Sequence, residues 1–327
     1  MEEPLLANCS AVKENLSRLA RRPRNIATGI HAYADYFKTI GFQKSSRENQ
    51  RRMREIQSGL RLPTSLPKLP RGAIAAITMV KNEEDIINDT VSHLLSQGVD
   101  YVLIADNGST DSTPEILKDL ARSQQVDIAF DGVAAYYQSE KMGNLARVVR
   151  SIGAEWIIPF DADEFWFAES VSVSEFLRSG NGQRFPAKVH NAFPGPNSSV
   201  KLWVDTAHEV LPKTAFRSYP FAYPTMGNHF AMRPGDFQEG LHIVHYPWRS
   251  REQLQRKSAT GSLALKLAKA SAEIGSQWTG IDHQNEKVVD EIWESVLNRN
   301  PDPILGLRAS GPFKLVNPRD LKSWQLS

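Results

Sequence analysis

The stretch Ala73-Ile74-Ala75-Ala76-Ile77-Thr78-Met79-Val80 is apolar at every position but Thr78. A strand with one wet face would alternate, so an unbroken apolar run of this length reads as a strand buried on both faces. Glu83 to Gln97 follows, with Ile87, Val91, Leu94 and Leu95 at i, i+4, i+7 and i+8 and acidic residues in the first turn, where the helix dipole favours them. The unit is strand, then amphipathic helix.

The unit repeats outward from there. Val99 to Ala105 predicts a second strand, Asp106 to Thr113 a loop, and Pro114 to Arg122 a helix with proline at its first position and Thr113 as cap. Val126 to Phe130 predicts a third strand. A helix from about Ser139 to Gly153 places Met142, Leu145, Val149 and Ile152 on one face, and Trp156 to Phe160 makes a fourth strand that ends at Asp161. Strands alternating with helices of this length imply an α/β fold, with a mostly parallel central sheet flanked by helices on both faces. Beyond residue 170 the regularity fails. Short, partly antiparallel strands and long loops are expected to residue 248, then a C-terminal helix from Arg249 to about Ala272.

Length and composition permit this and exclude much else. The chain has 327 residues, 41% hydrophobic and 23% charged, enough for a large core and unlike a disordered polymer. Met1-Glu2-Glu3-Pro4 lacks the basic and apolar regions of a secretory signal, and no apolar run approaches the length that spans a bilayer, so a cytoplasmic protein is expected. A peripheral contact with the inner face of the membrane stays open. The single Cys9 forms no internal disulfide and lies far from every motif.

Net charge is +2, but residues 1 to 70 hold 13 Lys and Arg against 6 Asp and Glu, which gives +7 there and −5 for the rest. Two clusters, Arg18, Arg21, Arg22, Arg24 and Arg47, Arg51, Arg52, Arg54, flank Tyr33, Tyr36 and Phe37. They suit phosphates or an anionic surface, but a solvated helical extension explains them equally in chemistry and needs no partner; without a binding motif, nucleic acid is not expected. Pro63, Pro67 and Pro70 predict a linker. The expected organisation is a basic N-terminal extension and linker over 1–70, a catalytic domain over 71–275 and a C-terminal extension over 276–327.

Ligands of parallel sheets bind outside the carboxyl ends of the strands. Three such ends carry polar residues: Lys81-Asn82-Glu83, Asp106-Asn107-Gly108-Ser109-Thr110-Asp111 and Asp161-Ala162-Asp163-Glu164. Two carboxylates one residue apart on a turn leaving a strand can both reach a divalent cation, Mn or Mg, and leave positions open for phosphate oxygens. A surface turn also carries acidic triplets, but not between an apolar strand and Phe165-Trp166-Phe167. Asp106 or Asn107 would bond a nucleobase edge, or the whole segment is turn chemistry and helix capping. Lys141, Asn144 and Arg147 form a polar face that is either solvated or lends a cation to a diphosphate, for which arginine's forked donors suit. Of the later histidines, His242 and His245 point oppositely in an extended segment, and His245 is the choice to complete a metal site, against a buried hydrogen-bonded imidazole. Arg249, Arg251 and Lys257 are placed to neutralise a departing diphosphate.

In order, Ile77-Thr78-Met79-Val80-Lys81-Asn82-Glu83, Ala105-Asp106-Asn107-Gly108-Ser109-Thr110-Asp111 and Phe160-Asp161-Ala162-Asp163-Glu164-Phe165 resemble the family-two-like glycosyltransferases of the GT-A fold, in the branch with Asp-Asn-Gly-Ser and Asp-x-Asp-Glu-Phe motifs. The resemblance covers about residues 73 to 260. It implies a nucleotide-sugar donor, a glycan, lipid-linked or small-molecule acceptor, and a divalent cation. Glu83 and Asp106 would hold the base, Asp161 and Asp163 the ribose and the metal-diphosphate, and His245 the metal. It further implies displacement at the anomeric carbon with inversion, assisted by a general base. The Glu-Asp pair that supplies this base in many relatives is not evident here, which leaves Glu239, Asp236 or His229.

Rival classes fit less well. A haloacid-dehalogenase-like phosphatase or phosphotransferase places Asp-x-Asp after its first strand, with Thr or Val two residues on, whereas here it follows the fourth, with Phe165 in that position. A sugar-nucleotide pyrophosphorylase needs a glycine-rich loop after strand one. A non-catalytic transferase-like binding protein has no use for intact Asp161, Asp163 and His245.

Overall fold

The computed structural model describes residues 47–123, 125–196, 200–220, 222–269 and 275–326. Cys9, the first basic cluster and the three aromatics beside it lie outside the described residues. Helix α1 (Arg47–Gly59) leads into a two-residue strand β1 (Leu60–Arg61), which pairs antiparallel with Asp131 and Phe130. The rest of the proline-bearing stretch to Gly72 holds no helix or strand.

The centre of the molecule is the parallel set β4 (Val126–Asp131), β3 (Tyr101–Asp106), β2 (Ile74–Val80) and β5 (Trp156–Pro159), side by side in that order. Ala75 stands opposite Tyr101 on one side of β2 and Ile157 on the other, and nearly every residue of β2 and β3 is buried, as an unbroken apolar run requires. Helices α2 (Ile87–Ser96) and α3 (Thr113–Ala121) cover one face with Ile87, Val91, Leu94 and Leu117. Helix α4 (Gln138–Ser151) covers the other with Met142, Leu145, Ala146 and Val149.

From β2 the chain runs outward through β3 and β4, then returns to the opposite side of β2 as β5. The order reverses between β2 and β5, and in sheets of this kind the crevice opens at such a switch point. The expected first helix begins four residues late, because Glu83 is drawn into a turn: the Ile86 and Ile87 amides both donate to its carbonyl.

Past β5 the sheet becomes mixed. It continues through β9 (Lys213–Arg217), β7 (Arg184–Pro194), β12 (Leu241–His245) and β6 (Glu164–Ala168); only β7 and β12 are parallel there. Strand β5 pairs with β9 over Trp156 and Ile157 alone, so the acidic turn after β5 stands where the sheet parts. Strand β8 (Leu202–Asp205) joins β7 and carries β13 (Phe313–Val316), while β10 (Tyr223–Pro224) and β11 (Ala231–Met232) form a separate ribbon. Helix α5 (Val173–Ser179) starts with a capping box between Ser172 and Glu175.

Helices α6 (Arg251–Ala268), α7 (Ser276–Thr279) and α8 (Glu286–Leu297) complete the chain. The last segment is bound into the core: Ile281, Val289, Ile292, Val296 and Leu305 pack with Phe193, Trp248 and Leu254, and Trp324 and Leu326 pack with Phe165, Phe167 and Val244. Among the described residues no helix is long and apolar enough to cross a membrane.

Candidate active site

A cavity of about 550 Å³ opens at the carboxyl ends of β2 and β5. Lys81, Asn82 and Glu83 enter from β2, Asp161, Ala162 and Asp163 from β5, Lys213 from β9, His245 from β12 and Lys257 from α6. Tyr136, Trp248, Trp278, Val210, Leu211 and Leu307 make a more apolar wall.

Asn82, with φ 58°, turns the loop after β2 and accepts from the Thr110 amide at 2.7 Å. Its own amide donates to Ser109 Oγ at 2.9 Å, and Ser109 Oγ donates in turn to Asp106 Oδ1 at 2.6 Å. The Glu83 amide donates to Thr113 Oγ1. The Asp-Asn-Gly-Ser-Thr-Asp segment thus clamps the loop that presents Glu83, and the Thr113 hydroxyl bonds that neighbouring loop rather than capping its own helix. Asp106 lines a separate small hollow beside Arg61 and Phe130. Asn107 lines the main cavity, with its amide nitrogen committed to the Asp131 carboxylate and to the Asp131 and Val133 carbonyls.

Lys141 is buried with its ammonium 2.6 Å from Asp131, so it supports this loop and does not line the cavity. Burial lowers its pKa, against the pull of Asp131. Arg147 is exposed, bonded to Asn144, and outside the cavity. The reason lies in helix geometry: Gln138, at the amino end of α4, reaches the cavity, and Arg147 lies about 13 Å farther along at 1.5 Å per residue. Asp236 and Glu239 precede β12, at the opposite end of that strand from His245; the Asp236 carbonyl accepts from the Gln183 and Arg184 amides there. Of the three candidate bases only His229 lines the cavity. Its Nδ1 donates to the Pro212 carbonyl at 3.0 Å, which leaves Nε2 as the acceptor nitrogen.

The acidic turn carries two separate charge clusters. Asp161 accepts from Lys213, from Asn228 at 2.9 Å and from Gln138 at 3.3 Å. Lys213 also lies 2.9 Å from Glu164, a fully buried residue. Burial raises the Glu164 pKa, against the pull of Lys213, while Asp161 and Glu164 hold the Lys213 ammonium above its ordinary range in spite of burial. Gly227, with φ 70°, makes the bend that aims Asn228 at Asp161.

Asp163 belongs to the second cluster. Lys257 Nζ stands 2.6 Å from its Oδ2 and Arg249 3.8 Å. Arg249 also binds Glu83 at 2.5 Å and Asp85 at 2.7 Å, and Lys257 lies 3.7 Å from Glu83. Burial alone would raise the Asp163 pKa; the Lys257 ammonium and its neighbours bring it well below the usual carboxylate range. Burial lowers His245 to about 4, against the pull of Asp163, so the imidazole is neutral at physiological pH. Its Nε2 lies 3.7 Å from Asp163 Oδ1. His242 takes the opposite face, bonded to His190 at 3.0 Å and Glu169 at 3.1 Å and stacked on Trp324.

Among the described residues no group of three or more His, Cys, Asp and Glu forms a metal-holding cluster. What faces the cavity is a pair, the neutral imidazole of His245 and the ionised Asp163, a donor set that suits a cation sharing its other positions with phosphate and water. Asp161 has both oxygens engaged within the protein. Arg251 pairs with Glu286 and Asp290 away from the cavity, whereas Arg256 lines it. Lys213, Asn228 and Gln138 escaped the sequence analysis. The one signal was a lysine opening an otherwise apolar strand, Lys213-Thr214-Ala215-Phe216.

Residues 75–173 match the family described as glycosyl transferase family 2. Over those residues the chain is similar to the family 2 glycosyltransferases. That match takes in Lys81–Glu83, the Asp106–Asp111 segment and the acidic turn, and ends before Lys213, His229, His245 and Lys257. No curated protein sequence matches the chain. Similar solved structures include S. aureus TarS 1-349 in complex with UDP, at 11% identity and TM-score 0.38, covering 72% of this chain and 86% of that one. Another is the mannosyltransferase PcManGT from Pyrobaculum calidifontis in complex with GDP-Man and Mn2+, at 12% identity and TM-score 0.37, covering 86% and 89%.

Proposed function

We propose that this protein transfers a sugar, with inversion, from a nucleotide-diphosphate sugar to an acceptor hydroxyl, and that the transfer needs Mn or Mg. The observation that carries the reading is the second charge cluster: Asp163 and His245 converge on the cavity with Lys257 and Arg249 beside them. Asp163 and His245 would hold the cation, which when bound neutralises the diphosphate. Lys257 and Arg249 add fixed positive charge where the leaving group gathers negative charge, and in a site shielded from water that electrostatic help is large.

Asp161, held by Lys213, faces the donor ribose in this reading, and Glu83, Asn82 and Asn107 face the base. His229, which lines the cavity and donates from Nδ1 to the Pro212 carbonyl, is the base that takes the acceptor proton in this reading. The wall of Tyr136, Trp248 and Trp278 suits the face of an acceptor sugar. A glycan, a lipid-linked saccharide or a small molecule would all present such a face, at the inner side of a membrane or in the cytoplasm.

The test is a thermal melt with UDP- and GDP-sugars, with and without Mn2+. A shift that needs the cation and disappears in Asp163→Ala is expected; equal stabilisation of the variant removes the cation site from the reading.

A further inference from the structure

An imidazole offers a cation only the nitrogen that carries no hydrogen, so the partner of its other nitrogen decides whether it is a ligand at all. His245 stands in register with Asn191 on the parallel neighbour β7, and its Nδ1 lies 3.2 Å from Asn191 Oδ1. Asn191 is buried, and its amide nitrogen faces two acceptors, Glu209 Oε1 at 2.6 Å and the Arg308 carbonyl at 3.0 Å. The carboxamide oxygen turned to that side would meet only acceptors; the nitrogen, which only donates, satisfies both. The oxygen therefore faces His245, and because it only accepts, Nδ1 must carry the hydrogen.

Nε2 is left with its lone pair toward Asp163 Oδ1, 3.7 Å away. Two acceptors face each other there with no hydrogen between them, an arrangement that an electron-poor occupant satisfies. Glu209 is itself fixed: its amide donates to the Val189 carbonyl at 2.8 Å, and its Oε1 accepts from the Arg308 amide at 2.8 Å. Asn191, Glu209, Arg308 and His245 all lie beyond the residues of the family match.

We propose that Asn191 and Glu209 are positioning residues that lock His245 as its Nδ1–H tautomer and so present Nε2 to the divalent cation. This rests on the cation site of the proposed function and adds what makes His245 competent in it. The C-terminal segment takes part in forming the site through the main chain of Arg308.

The test uses the full-length chain and Mn2+ alone. Nuclear magnetic resonance of the metal-free protein labelled in histidine, with the His245 signals assigned by His245→Gln, reads the tautomer, and titration followed by electron paramagnetic resonance reads Mn2+ affinity. Wild-type His245 is expected to carry its hydrogen on Nδ1. Asn191→Leu and Glu209→Ala are expected to weaken Mn2+ binding about 10- to 100-fold, whereas Glu209→Gln, which keeps an acceptor oxygen, stays within about threefold. A wild-type Nε2–H tautomer, or Mn2+ binding that needs Asp163 but neither Asn191 nor Glu209, overturns the inference. Absence of Mn2+ binding in the wild type, or unchanged binding in Asp163→Ala, overturns the cation site first and the inference with it. If Asn191→Leu does not fold, the wild-type tautomer and Glu209→Ala still decide.

Discussion

Asp161 and Asp163 are one residue apart on one turn, yet they sit in different electrostatic worlds. Asp161 closes a ring with Lys213, Glu164, Asn228 and Gln138 in which its two oxygens have protein partners. Asp163 shares its charge among Lys257, Arg249 and His245, of which Lys257 and His245 line the cavity. The first cluster closes on itself and holds the turn where the sheet parts; the second is shared with Glu83 and Asp85 through Arg249 and opens on the cavity at Lys257 and His245. A motif that looks symmetric in the sequence is divided by its neighbours into one carboxylate enclosed by protein partners and one set beside Lys257 and His245.

The strongest challenge to that contrast is Lys213→Met. It takes the cation from the buried Glu164 and the half-buried Asp161, and breaking a fully buried pair costs about 3–5 kcal/mol, which sets the upper bound here. Denaturant unfolding should show that loss. A variant as stable as the wild type would mean that the ring is not an anchor.

Lys257→Met probes the other cluster. Asp163 keeps Arg249 and His245 nearby, so the melting temperature should move little, while kcat for sugar transfer falls by about a hundredfold through lost stabilisation of the leaving diphosphate. A loss of stability without a loss of rate would reverse the roles of the two clusters.

The pH dependence of stability sharpens the comparison further. Burial lowers the folded pKa of His93 to about 4 from 6.5, even though its Nε2 bonds the Trp166 carbonyl, and burial lowers His190 likewise to about 4. The unfolded chain binds protons that the folded chain refuses, so this stability is complete above pH 6.5 and is lost as pH falls toward 4. Melting temperature against pH should fall across that window, and His93→Leu should flatten part of the slope. A slope that is unchanged in the variant would place the acid sensitivity elsewhere.

The smallest effect is expected from Arg147→Ala and Glu239→Ala. Both side chains stand away from the cavity, so donor binding and transfer rate should stay within about twofold of wild type, as surface changes outside special features do.

How much of this was legible depends on the kind of signal. The apolar run Ala73–Val80 and the heptad-like spacing of Ile87, Val91 and Leu94 are local, and they specified the parallel half with its helices on both faces. The opposite orientations of His242 and His245 follow from the two-residue period of a strand, and both were readable. Strand β6 was not read from Phe165-Trp166-Phe167, and Lys141, read as either solvated or lent to a diphosphate, is buried against Asp131.

By itself, then, the sequence determined which residues alternate, which runs are buried, and that three polar strand ends belong to one edge of a parallel sheet, because these depend on neighbours within a few positions. Only the tertiary structure decided which partner each charge has. Lys213 meets Asp161 across 52 residues of chain and Lys257 meets Asp163 across 94, and no local spacing encodes a contact made when distant strands are brought side by side. The same holds for His245, whose usable nitrogen is chosen by an asparagine 54 residues earlier.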